Sequence, residues 1–154
     1  MASRKFNVTE IITSIDNFVA KDIQRVAVAI LSAVVVATPV GNPTRWKFPA
    51  SAPEGYVGGH ARRNWSVSIG TPVTGVRGTA GSGPGNAATR EALGAGRAKI
   101  ATFRKNNARI IIQNNVPYIG RLNDGHSTAA PRNFVQAAIM VGRRKGATER
   151  RDLR

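Results

Sequence analysis

Ile12, Ile15, Val19, Ile23, Val26 and Ile30 recur at spacings of three and four, the period of one helical face. This predicts a long helix from about Thr9 to Ala37. Thr9 serves as its N-cap, and Glu10 and Asp16 lie toward the positive end of the helix dipole. The second half, Val26 to Ala37, is apolar nearly all round and is expected to be buried on several sides, neighbouring subunits included. A strand through Val34, Val35 and Val36 competes, since β-branched runs favour sheets. The helical period continues into that run without a break and favours helix. The run is about a dozen residues, short of the roughly 18–20 that span a membrane. Pro39 and the Gly41-Asn42-Pro43 turn end the helix. Asn64 to Ile69 alternates polar and apolar, which predicts a half-buried strand with Trp65, Val67 and Ile69 inward.

The remaining segments are less periodic. Residues 38–63 read as an extended Pro/Gly loop carrying Trp46, Phe48 and Tyr56. Such rings either fold back on their own domain or dock on a neighbouring protomer, where they bury much area at low entropy cost. From Thr71 to Gly96 the chain is small and glycine-rich, which predicts a long loop with a short helix near Ala87–Leu93. Arg97–Phe103 and Ala108–Gln113 are strand candidates, joined as a hairpin by Lys105-Asn106-Asn107, because Asn tolerates positive φ. A final helix is expected from near Pro131, burying Phe134, Val135, Ala138 and Ile139. The charge run from Arg143-Arg144-Lys145 to Arg151 is expected to be solvated or frayed. The fold class is α+β: one domain over residues 1–154, with a long N-terminal and a C-terminal helix packed on a small, mainly antiparallel sheet, and long Gly/Pro-rich loops.

One segment is more specific. Asn114-Asn115-Val116-Pro117-Tyr118 leads through Ile119-Gly120-Arg121-Leu122-Asn123 to Asp124-Gly125-His126-Ser127. It reads as strand, turn, short helix and glycine stop. Pro117 suits a first helical turn, Tyr118 and Leu122 share one face, and Gly125 closes the helix with positive φ. Tyr118 and Leu122 are expected to pack on the sheet formed by residues 108–113. The segment resembles the neck, or tail-completion (tail-component), protein family of long-tailed bacteriophages. There a strand ends in Asn-x-Pro-Tyr and leads to Leu-Glu-x-Gly-x-Ser and then a proline. Three further stretches resemble that family in order. They are Thr38-Pro39-Val40-Gly41-Asn42-Pro43 with Trp46; Pro53-Glu54-Gly55-Tyr56-Val57-Gly58-Gly59 with Arg62-Arg63-Asn64-Trp65 and Gly70-Thr71-Pro72; and Ala130-Pro131 with Val135. The resemblance spans about residues 8–141. Asn123 stands where the family often has Glu, and the basic tail, residues 142–154, has no counterpart.

The resemblance implies a structural virion protein at the head–tail junction, made in the bacterial cytoplasm. Copies would form a homo-oligomeric ring that joins connector and tail by contact with other neck, connector and tail proteins. Its interface and structural residues would be Trp46, Tyr56, Gly58, Gly59, Arg63, Trp65, Pro117, Tyr118, Leu122, Gly125 and Pro131. A tail terminator or another minor virion component is the neighbouring alternative. The loop from Trp46 to Gly59 is expected to lie against a neighbour.

Composition adds a second class. Across 154 residues, 23 Lys and Arg face 8 Asp and Glu, a net charge of +15. That excess either serves solubility or predicts an anionic partner, DNA or an acidic protein surface. Arg45, Arg62, Arg143, Arg144 and Lys145 are the candidate contacts, and outer or stacking faces against acidic neighbours are expected to hold most of them. A basic nucleic-acid-binding protein is the competing function. The chain has no cysteine, so it has no disulfide framework or thiolate metal site. His60 and His126 have no ligand spacing around them, and His60 reads as a surface or interface histidine. Gly81-Ser82-Gly83-Pro84-Gly85 lacks the Gly-Lys-Ser/Thr ending of a phosphate loop. No acid–base pair or triad can be assembled. The expectation is no enzyme, no cofactor and no membrane partner.

Overall fold

A computed structural model describes residues 8–45, 47–52, 54–78, 85–107 and 109–151. Trp46, the Gly81–Pro84 stretch and the side chain of Arg45 lie outside what it describes. The chain runs α1 (Val8–Ala37), α2 (His60–Arg63), β1 (Trp65–Ile69), α3 (Gly85–Ala101), β2 (Ile110–Asn114), α4 (Ile119–Asn123) and α5 (Phe134–Arg151). Short 3-10 turns at Pro43–Arg45 and Pro49–Ser51 punctuate the loop between α1 and α2. The class is α+β, with a long first helix and a last helix around a two-stranded antiparallel sheet. No described helix is long and apolar enough to cross a membrane.

Leu31, Val34 and Val35 of α1 lie in the core, joined there by Trp65, Ala92, Ile100 and Ala138, while the periodic residues Ile12, Ile15, Val19 and Ile23 are exposed on another side of the helix. Val36, one step round from that face, is exposed. In the sheet, Trp65 pairs with Asn114, Val67 with Ile112 and Ile69 with Ile110. A two-stranded ribbon is marginal alone, and the helices packed against it supply its support. Trp65 is buried as expected, while Val67 and Ile69 are only half-buried. Ser68, on the opposite side of the strand, is buried as well, so the alternation does not separate a wet face from a dry one.

The expected hairpin does not form. Arg97 to Ala101 completes α3, and β2 pairs with the distant β1. The Lys105-Asn106-Asn107 turn is present but joins helix to strand. The Asn107 N–H donates to the Arg104 carbonyl at 2.9 Å, and Asn107 Oδ1 accepts from the Arg104 N–H at 2.6 Å. Much of the expected glycine-rich loop is also helix. Its sequence from Gly85 is rich in Ala, with Leu, Glu, Arg and Lys, all good helix formers. Gly96 is buried at a helix crossing, where a Cβ would run into Leu31 and lie 3.1 Å from Val67 Cγ2. Gln24 on α1 then closes the end of α3, donating to the Phe103 carbonyl at 2.9 Å.

The charge run after Gly142 is solvated, as expected, but it is helical and not frayed. It is the last half of α5, which packs antiparallel along α1. Gly142 and Gly146 face Ile30 and Val26, one turn apart on each helix. Arg143, Arg144 and Lys145 point to solvent beside them.

Candidate functional site

The segments singled out in the sequence meet at the end of α1. Thr38 is fully buried. Its hydroxyl donates to the Val34 carbonyl at 2.6 Å and accepts from Trp65 Nε1 at 2.6 Å. Its own carbonyl accepts from Arg62 Nε at 2.9 Å and Nη2 at 2.6 Å, and Nη2 also reaches the Val36 carbonyl at 3.1 Å. A helix end leaves carbonyls without intrahelical donors, and a guanidinium is well suited to them because its charge matches the negative end of the dipole. Arg62 is therefore a cap for α1. That role differs from its reading in the sequence as a contact for DNA or an acidic partner. Burial lowers its pKa from the ordinary value, though an arginine stays charged.

The neighbours of Arg62 are also committed. Arg63 Nε lies 2.8 Å from Glu91 Oε2 on α3, and Arg63 Nη1 donates to the Gly78 carbonyl at 2.9 Å. Asn64 is buried; its Oδ1 accepts from the Arg77 N–H at 2.7 Å and its Nδ2 donates to the His60 carbonyl at 2.8 Å. Asn114 Nδ2 donates to the Ala61 carbonyl at 2.7 Å and so ties β2 to α2. Asn115 Nδ2 holds the Val73 and Gly75 carbonyls at 2.8 and 3.1 Å. These side chains fix loops that have no ladder of their own.

Substitution separates the two bonds at Thr38. Thr38→Val keeps the volume but removes both, leaving the Trp65 N–H buried without an acceptor. An orphaned buried donor costs about 1–3 kcal/mol. Chemical denaturation should show that loss, and Thr38→Ser should recover part of it. A Thr38→Val protein as stable as the parent would contradict the relay.

Outside this lock lies a cleft of about 1000 Å³. Pro39 to Pro43 form one wall, Tyr56, Gly59 and His60 a second, and Tyr118, Leu122 and His126 a third. Close backbone approach shapes it. A Cβ on Gly41 would strike the Tyr56 hydroxyl, and one on Gly58 would strike the Gly41 carbonyl and lie 2.7 Å from Val40 Cγ1. The His60 and Tyr118 rings are 6.3 Å apart and tilted by 39°. Burial raises the Tyr56 phenol, and burial and then Tyr56 raise that of Tyr118, so both stay neutral.

Burial, and then the charge of Arg63, lower the His60 pKa. Asn64 Nδ2 lies 3.4 Å from His60 Nδ1, a contact that suits the neutral ring. A base with a depressed folded pKa disfavours the native state once protonated. Stability should fall as pH drops through the ordinary imidazole value near 6.5 and level off below the lowered one. Thermal melts across pH 5–8 should show the slope, and His60→Gln should flatten it; an unchanged slope in that variant would assign the titration elsewhere.

Placement differs from expectation in one respect. Tyr118 and Leu122 do not pack on the sheet; they face the cleft, while Ile119 and Gly120 line a groove with Trp65 and Ile112. The cause is helical phase, since α4 begins at Ile119 and turns that residue inward. The cations do not gather around the cleft. Lys47 is on its wall, whereas Arg143, Arg144 and Lys145 lie along α5. Gly125 has φ +85° as expected, with Arg132 Cβ 3.2 Å from where its own Cβ would be. Pro117 and Pro131 are exposed turn residues ahead of α4 and α5. Phe48 is 67% exposed in the loop beyond the cleft. Among the described residues no three His, Asp or Glu stand together as a metal site. No protein-family profile, curated protein or solved structure matches the chain.

Proposed function

We propose that this chain is a structural subunit of a bacteriophage head–tail junction, several copies of which close into a ring between connector and tail. The observation that carries the reading is the convergence of three motif segments on one cleft. They are Pro39–Pro43, Tyr56 to His60 and Tyr118 to Ser127, far apart in sequence and the same segments that resemble the neck family. A cleft of mixed polarity, with two tyrosines on its walls among prolines, glycines and hydrogen-bonding side chains, suits a loop of a neighbouring protein, where rings supply most of the binding energy. Beside it, the exposed Phe48 extends the apolar surface toward such a neighbour. The work done is shape complementarity between copies and layers, and the rotation per copy sets the ring size.

Sedimentation velocity of the nucleic-acid-free protein at moderate salt tests this. A species several times the 16.4 kDa chain mass supports the ring. The +15 charge sustains the second reading, a basic nucleic-acid-binding protein. A monomer that binds DNA with steep salt dependence would establish that reading and overturn the ring.

A further inference from the structure

We infer that the open edge of β2 takes an extended strand of a different protein, which completes the sheet over α5. The site shares no lining residue with the cleft and does not depend on ring formation. The ladder fixes which backbone groups are unpaired. The Gly70 N–H donates to the Arg109 carbonyl at 3.0 Å, in the same register that pairs Ile69 with Ile110 and Val67 with Ile112. Antiparallel pairs alternate between bonded and non-bonded. Arg109, Ile111 and Gln113 therefore turn their N–H and C=O toward β1, and Ile110 and Ile112 turn theirs away from it. Among the described residues, none bonds to that outer side of Ile110 or Ile112. Free donors and acceptors along an edge are a template for another strand, and natural sheets cover or charge such edges. β1 is flanked in this way. α3 and the segment from Val73 to Arg77 stand beside Ser66 and Val67, and the Arg77 N–H bonds to Asn64 Oδ1 at 2.7 Å. β2 carries no charged residue from Ile110 to Asn114.

The helix layer has room above it for one more strand. α3 packs under β1, α1 lies under both strands, and α5 packs along α1. Two hollows of about 440 and 330 Å³ separate α5 from β2. Gly146 and Ala147 face Ile110 and Ile112 across the first, and Val135 and Ile139 face Ile112 across the second. A strand laid along β2 at the usual spacing of about 4.8 Å would lie over α5 and point every second side chain into these hollows. In antiparallel pairing those same residues exchange backbone bonds with Ile110 and Ile112. The partner chemistry follows. It is a short extended segment, apolar at alternate positions and with free N–H groups at those positions.

A second copy does not fit this description. Paired about a twofold axis, β2 of another copy would bring its own α1 beneath it, into the space that α5 holds. The long described connections are broken by residues that disfavour a strand. Residues 38–59 contain Pro39, Pro43 and Pro49, residues 70–78 contain Pro72 and Gly75, and residues 124–133 contain Gly125 and Pro131. An arm or loop of another protein, free of a helix layer of its own, meets the requirement.

Amide hydrogen exchange by NMR on the whole chain tests the edge. The probe is an acetylated, amidated heptapeptide of alternating threonine and valine. In the chain alone, the Ile111 and Gln113 amides should be protected, and those of Ile110 and Ile112 should exchange about tenfold faster or more. The peptide at millimolar concentration should slow Ile110 and Ile112 by about tenfold. The same peptide N-methylated at its valines keeps the side chains, loses the donors, and should give no such protection. Ala147→Trp, at an exposed site, fills the first hollow and should abolish the effect at Ile110, with circular dichroism checking its fold. If the peptide leaves Ile110 and Ile112 unprotected, or the N-methylated peptide protects them equally, β2 is not a strand-docking edge. If both amides are already protected in the chain alone, this chain or a copy closes the edge, and the foreign strand is wrong. Sedimentation reads the ring separately, so either claim can fail without the other.

Discussion

Trp65→Ala is expected to lower stability by about 3–5 kcal/mol, the range for emptying a large buried aromatic site. Trp65 is 5% exposed and contacts a core of Leu31, Val34, Val35 and Ile100 that gathers three helices and the sheet. It also closes the hydrogen-bond path from β1 through the Thr38 hydroxyl to the last turn of α1. Trp65→Phe retains much of the ring volume and removes the donor. Thr38 keeps its bond to Val34, so this variant should lose less than the alanine one. Urea unfolding measures both. A Trp65→Ala protein within about 1 kcal/mol of the parent would place the residue outside a packed core.

Gly142→Val is expected to be comparably disruptive for the opposite reason. A Cβ at Gly142 would stand 2.5 Å from Ile30 Cα, 2.8 Å from its nitrogen and 2.9 Å from the Ala29 carbonyl oxygen. These are backbone atoms of α1 and cannot rotate away, so α5 must lift. Overpacking a tight site costs about 1–3 kcal/mol and occasionally more, and this backbone collision belongs at the upper end. Gly94→Ala is the control, because nothing lies within 4 Å of a Cβ there. Replacing that open helical glycine should be neutral or stabilising by up to about 1 kcal/mol. Equal melting temperatures for Gly142→Val and the parent would disprove the close crossing of α1 and α5.

These two glycines show where the sequence was legible. α1 could be read because its apolar residues are large and keep period. The Pro117–Gly125 turn could be read because a proline, a shared helix face and a positive-φ glycine each have one local role. α3 and the second half of α5 were hidden by the same feature. Both present small residues four apart to the core, Ala88, Ala92 and Gly96 on one and Ala138, Gly142 and Gly146 on the other. Small residues carry little hydrophobic signal, and a glycine in isolation reads as a breaker, yet here it lets two backbones approach. A search for small residues at spacing four would have found both helices. The hairpin error follows from the first of these misreadings: with α3 taken for loop and strand, β2 had no visible partner except its sequence neighbour.

The candidate site was legible as residues and not as roles. Arg62 reads in the sequence as a contact residue and caps α1, Asn64 ties a loop, and Trp65 fills the core as the alternating strand predicts. Local pattern cannot distinguish an exposed arginine from one that finds the end of a helix 24 residues earlier, because that depends on the tertiary path. Tyr118 and Leu122 are expected on the sheet and face the cleft instead, one step of helical phase away, and Tyr56 lines the same cleft.

Under the proposed function, copies of this chain build a ring by surface complementarity. Electron micrographs of the purified, nucleic-acid-free protein test it most directly. Closed rings of uniform diameter with an open channel are expected. Monodisperse single chains, or open filaments without a fixed closure, would contradict it.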